Sequence, residues 1–215
     1  MKQIKYNYSE RTDKIQYIVI HDTGNTKKGA GAENHFKYFN GGHRGSSADI
    51  FVDDKQILIV NDYVNNYTWH CGDGKGINGI TNNNSVGIEL CVNSDSDYNI
   101  AFKNLLNITK QLMKELDIPI NRVVRHYDTS GKNCPASMSK DNWFKWWEFK
   151  ERLQEGSKMD FKYYNTIEEI PESYKTTVRK MVQLGVVKGD GTGLKLSDDM
   201  CRMLVYIDRL IGGIK

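Results

Sequence analysis

The chain has 215 residues, 39% of them hydrophobic and 27% charged, with 30 Lys and Arg against 27 Asp and Glu. That length holds one domain of about 150 residues with something smaller beside it, and the composition is that of a soluble globular protein. A net charge of +3 without basic clusters argues against nucleic acid as a partner, and the apolar runs are far too short for a membrane span.

The start, Met-Lys-Gln-Ile-Lys-Tyr-Asn-Tyr, has no apolar signal core, so a protein made and kept in a cytoplasm until something releases it is expected. Residues 17–21 alternate as a buried strand, with Tyr17, Val19 and His21 on one face. A short helix is expected near 30–40, and strands near 49–53 and 56–60. Residues 85–92 again have period two: Val86, Ile88, Leu90 and Val92 face one side, Gly87, Glu89 and Cys91 the other. An acidic residue in such a strand is costly without a partner, so Glu89 needs a reason. Phe102, Leu105, Leu106, Thr109, Leu112, Met113 and Leu116 form a helical stripe ended by Asp117-Ile-Pro119. Residues 122–126 read as another strand, with Val124 and His126 sharing a face. An aromatic helix follows near 140–154, its Trp143, Phe144, Trp146, Trp147 and Phe149 assigned to packing on the sheet. Strands interleaved with helices predict an α/β fold, a central mixed sheet flanked by helices.

Gln154–Met159 is a polar break, which sets domains at 1–156 and 157–215. Beyond it, Tyr174, Val178, Met181 and Val182 form one helical stripe. Ser197 is read as an N-cap, and Met200, Met203, Leu204, Ile207 and Leu210 form a second stripe. Such a small helical domain has a marginal core that gains from docking or self-association. The four cysteines, at 71, 91, 134 and 201, form no close pair, and no disulfide is expected. Cys201 is read as a small buried residue.

His21, His126 and Cys134 are the ligand types that suit zinc, and three protein ligands leave a fourth tetrahedral position open. Glu89 is the acidic residue of the central strands placed to act as a base, and Lys132 is the cation nearest the Cys134 loop for an oxyanion. Each also has an ordinary reading, as a hydrogen-bonded histidine, a packed cysteine, an ion-paired core carboxylate or a solvated lysine.

The segments Tyr-Ile-Val-Ile-His-Asp-Thr (17–23), Ser-Ser-Ala-Asp-Ile-Phe-Val-Asp (46–53), Trp-His-Cys-Gly (69–72), Asn-Asn-Ser-Val-Gly-Ile-Glu-Leu (83–90), Val-Val-Arg-His (123–126) and Gly-Lys-Asn-Cys-Pro (131–135) tie these distant residues together. In this order the chain resembles the type-2 zinc N-acetylmuramoyl-L-alanine amidases, related to peptidoglycan recognition proteins and found in many phage endolysins. The resemblance implies Zn2+ on His21, His126 and Cys134, Glu89 as general base and Lys132 near the oxyanion. It also implies Trp69 and His70 as cleft residues in contact with substrate. Peptidoglycan is then the partner, cut between N-acetylmuramic acid and L-alanine. Asp49 and Ile50 stand where many members carry a His and an aromatic, and Ala48 where some carry a Tyr. His35 and His43 match no functional position.

Residues 160–215 resemble a single S-layer-homology unit, which implies attachment to a secondary wall polymer. One copy of a repeat that normally stacks suggests association between chains. Glu155-Gly156 must be encoded by a purine-rich run resembling a ribosome-binding site upstream of Met159, which suggests an internal start and a free tail that joins the full chain. The leading expectation is a phage-type endolysin released through a holin to the wall. The alternatives are a bacterial autolysin with the same chemistry, a peptidoglycan binder without activity, and a regulator of a nucleic-acid enzyme.

Overall fold

The computed structural model describes residues 2–155, 163–189 and 191–212. They fall in two compact units, Met1–Ser157 and Lys158–Lys215. The expected boundary at 156/157 and the expected start at Met159 lie outside the described residues.

The first unit is built on β2 (Tyr17–Asp22), β3 (Ile50–Val52), β4 (Ile57–Ile59), β6 (Ser85–Leu90) and β7 (Val123–Arg125), in the spatial order β4-β3-β6-β2-β7. β3, β6, β2 and β7 run parallel, and β4 is an antiparallel edge. β1 (Tyr8–Glu10) and β5 (Asn66–Thr68) form a separate antiparallel pair. Helices α1 (Ala32–Asn40), α2 (Tyr98–Glu115), α3 (His126–Ser130) and α4 (Lys140–Glu155) complete the unit.

Period-two alternation divides the central strands between two cores. Ile18, Ile20, Val86, Ile88 and Leu90 pack with Phe102, Leu105 and Leu112 of α2 and with Trp146, Phe149 and Leu153 of α4. On the other face Phe51, Leu58 and Cys91 pack with Ala32 of α1. α2 starts where Asp97 accepts hydrogen bonds from the amides of Asn99 and Ile100, 2.9 and 3.2 Å, so two orphan donors of its first turn are satisfied.

Two expectations for this unit change. The strand expected over 122–126 stops at Arg125, because Asp128 reaches back to the Arg125 amide at 2.8 Å and starts α3 with His126 as its first residue. The aromatic residues of α4 are not all packing groups. Trp146 and Phe149 are buried, whereas Phe144 and Trp147 are 65% and 55% exposed. Trp143 is partly buried under the guanidinium of Arg125, 4.3 Å from its ring centroid.

The second unit contains α5 (Glu172–Gln183) and α6 (Asp198–Gly212). Its core joins Tyr164, Ile170, Val178, Met181, Leu196, Cys201 and Leu204. Ser197 precedes α6 and its Oγ accepts from the Met200 amide at 3.3 Å, as a cap should. The expected stripe on α6 is displaced: Cys201 and Leu204 are buried, while Met200 and Met203 are 49% and 60% exposed. Leu210 has no described side chain. Among the described residues no helix is long and apolar enough to cross a membrane.

Candidate metal centre and active-site cleft

The site forms at the carboxyl ends of the parallel strands, where open α/β sheets place their ligand crevices. Register assembles it. His21 on β2 pairs with Glu89 on β6, and Ile20 pairs with Arg125, so His126 emerges beside His21. Cys134 comes from the loop after α3, tied back by the Tyr127 amide donating to Cys134 O at 2.9 Å. A cleft of about 360 Å³ collects His21, Glu89, His126, Lys132 and Cys134, with Trp69, His70, Phe39 and Ser47 on its walls.

His21 Nδ1 lies 3.1 Å from His126 Nδ1 and 3.9 Å from Cys134 Sγ, and the ligand atoms of these three buried residues all fall within 4.8 Å of one another. Tetrahedral Zn–N and Zn–S bonds of about 2.0 and 2.3 Å imply N···N and N···S separations of about 3.3 and 3.6 Å. The donor set and its spacing therefore fit zinc. Burial, with His70, His126 and Lys132 adding to it, holds His21 well below the ordinary imidazole value. Burial likewise lowers His126, against the opposing pull of Asp73. Both rings are thus neutral near pH 7, as metal ligation requires. Burial, then the nearby Glu89, pushes the Cys134 thiol up to about 12, so a metal must displace its proton.

Glu89 is pushed up to about 8, by burial first and then by Asp22, with Lys132 opposing. Its Oε2 is buried without a hydrogen-bond partner, and the residue lines the cleft. Lys132 is exposed on the loop before Cys134, close enough for its charge to act on His21, Glu89 and Cys134. Trp69 is partly buried, and its indole N–H donates to Ser9 Oγ at 3.1 Å.

His70 lines the cleft, as expected, and is held there by protein contacts. It is only 8% exposed, and protein atoms engage both its ring nitrogens. Nδ1 meets His21 Nε2 at 3.1 Å, and Nε2 meets Ser85 Oγ at 3.2 Å. The sequence reading missed Asp73, whose Oδ1 lies 2.7 Å from His126 Nε2. Gly74 seats that turn, since a Cβ there would stand 1.9 Å from Thr129 O of α3. No linear spacing connects Asp73 to His126; a glycine on each side of it was the available signal. Asp22, next to His21, accepts from the Ser137 amide at 2.6 Å.

The remaining residues singled out lie outside the cleft. Asp49 is fully buried, accepting from the Gly87 amide and Asn61 at 2.8 and 2.7 Å. His35 stacks on Phe51, and His43 packs edge-on against Tyr6. Cys71, Cys91 and Cys201 are free and buried, as is Cys134 within the cleft.

Two histidines and a cysteine spaced to suit a metal ion, beside a carboxyl at the strand ends of a helix-flanked mixed sheet, define an α/β protein with a candidate metal centre in a cleft. The family model described as N-acetylmuramoyl-L-alanine amidase matches residues 11–137, and the chain belongs to that family. It is 41% identical over 127 residues to the N-acetylmuramoyl-L-alanine amidase CwlH of Bacillus subtilis, covering 59% of this chain and 49% of that one. It is 35% identical over 167 residues to XlyA of the same organism, covering 77% and 54%. Among solved structures, the catalytic domain of XlyA superimposes with a TM-score of 0.61 at 35% identity, covering 68% of this chain and 91% of that one. The structure of PlyL superimposes with 0.60 at 30% identity, covering 71% and 96%. The chain spans about half the length of the curated relatives it matches.

Proposed function

We propose that the chain is a zinc-dependent N-acetylmuramoyl-L-alanine amidase of the endolysin type, cutting the lactyl–L-alanine amide of bacterial peptidoglycan to lyse a phage host. The observation that carries this reading is the convergence of His21 Nδ1, His126 Nδ1 and Cys134 Sγ in one cleft with an unpartnered Glu89 oxygen. When bound, zinc supplies positive charge that makes a water more acidic and a carbonyl more electrophilic. Glu89 takes the proton of the attacking water and delivers it to the departing L-alanine nitrogen. Lys132 reaches in from the loop to stabilise the oxygen that gains negative charge, and Trp69 offers an apolar wall to the substrate.

The Lys158–Lys215 unit is the proposed S-layer-homology-like wall-binding domain, recognising a secondary wall polymer. Self-association, with a second copy of the chain or with a fragment starting at Met159, is proposed for the same unit, whose exposed Met200 and Met203 leave apolar surface on α6. Delivery from the host cytoplasm through a holin completes the reading. The test is digestion of purified peptidoglycan. New L-alanine amino termini without new reducing sugars are expected; reducing ends alone, or no products, would overturn the assignment.

A further inference from the structure

Resting on that zinc-dependent reading, we infer that His70 is a positioning residue that sets the tautomer of His21 and so aims its Nδ1 lone pair at the metal position. Thr81 O, a backbone carbonyl, only accepts hydrogen bonds. Ser85 Oγ donates to Thr81 O, which commits its proton. The 3.2 Å contact between Ser85 Oγ and His70 Nε2 must therefore be donated by His70. His70 and His21 are 8% and 1% exposed, and their rings bond to each other rather than to a carboxylate, so each stays neutral with one ring proton. With its proton on Nε2, His70 has a bare Nδ1, and the 3.1 Å contact there is donated by His21 Nε2. His21 then carries no proton on Nδ1, the atom that faces Cys134 Sγ and His126 Nδ1.

The second histidine reaches the same state by a separate route. Asp73 accepts at His126 Nε2, which leaves His126 Nδ1 bare as well. Two bare lone pairs 3.1 Å apart in a buried site repel one another, and a cation between them removes that cost. The room for His70 comes from Gly87, where a Cβ would stand 2.5 Å from His70 Cγ. A glycine in this central strand is thus explained by the ring that lies across it.

Long-range proton–nitrogen NMR of the metal-free full chain reads the tautomers directly, and His21 and His70 should both be protonated at Nε2. In His70→Ala the His21 ring should exchange between tautomers, and zinc affinity by chelator competition should fall about 10–100-fold. His70→Asn places Oδ1 where Nδ1 stood and should recover most of that loss. Gly87→Ala, which displaces the ring without changing its chemistry, should behave like His70→Ala. A proton on His21 Nδ1 in the unaltered chain overturns the inference, as does unchanged zinc affinity in His70→Ala. So does a folded His70→Asn no better than His70→Ala; if His70→Ala does not fold, the tautomers of the unaltered chain decide. A chain with these tautomers and zinc that frees no L-alanine termini loses the proposed function but keeps this role for His70. A chain that binds no zinc loses both.

Discussion

Glu89→Gln separates the chemistry of the site from its stability. The side chain sits opposite His21 and Phe51 in the sheet register, one oxygen without a partner, its carboxyl pushed up to about 8 from 4.5. An acid whose folded pKa is raised holds a proton in the native state that the unfolded chain has lost. Its contribution is therefore full below about pH 4.5 and drains away as pH rises through about 8. Across pH 6 to 8 the linkage relation gives a loss of at most about 2 kcal/mol, and solvent reaching part of the side chain reduces this to about 1 kcal/mol. The buried His21, His70 and His126, all lowered, take up protons on unfolding around and below pH 6.5 and so raise stability with pH over the lower part of the same window, in parent and variant alike. Glu89→Gln, which mimics the neutral acid, should therefore gain stability relative to the parent in thermal melts of the metal-free protein as pH rises from 6 to 8, the histidine contribution common to both cancelling. Release of L-alanine termini by the zinc-loaded variant should drop about 10²–10⁴-fold, the usual worth of a general base, with zinc content unchanged. A variant within tenfold of the parent, or one whose melts keep the parent's slope, would refute the assignment.

Cys134→Ser should lower zinc content after gel filtration with little change in circular dichroism; full retention of metal would contradict its place as a ligand. Because the Cys134 thiol is held at about 12, zinc affinity of the native chain should rise steadily from pH 6 to 8 as proton displacement becomes easier, measured by competition titration. Gly74→Ala puts a methyl group on Thr129 O and should destabilise by about 1–3 kcal/mol, read as a lower melting temperature, with weakened zinc binding through a shifted Asp73. Removing residues 158–215 should spare hydrolysis of soluble muramyl peptides and reduce sedimentation with intact walls. Mass spectrometry of the purified product should find a species beginning at Met159, and light scattering a mass above the monomer; neither appearing would remove the internal start.

The alternating strands were legible because burial on two faces leaves a period-two imprint. Each strand's faces could be read, His21 with Tyr17 and Val19 and Glu89 with Gly87 and Cys91, but that the two lie side by side comes from the register. Joining them to His126 and Cys134 took the family resemblance, since 105 residues separate the two histidines and no local pattern spans that interval. The end of β7 was missed because the Asp128 hydrogen bond to Arg125 outweighs strand propensity over one residue. His70 was placed in the cleft by the family resemblance, but its depth and its bonds to His21 and Ser85 leave no mark in the sequence beyond Gly87, the sign that something bulky lies across the strand. On α6 helical spacing found the apolar residues but rotated the buried stripe, since in so small a unit apolar side chains outnumber inward positions.

Asp22 shares β2 with His21 and grips the backbone three residues beyond Cys134. The thiol's loop is thereby stapled to the very strand that bears the first imidazole, independent of any ion. If the three donors take up zinc as proposed, the socket is shaped by the scaffold beforehand, so a chelator should strip the ion and leave a chain that still folds and can be refilled.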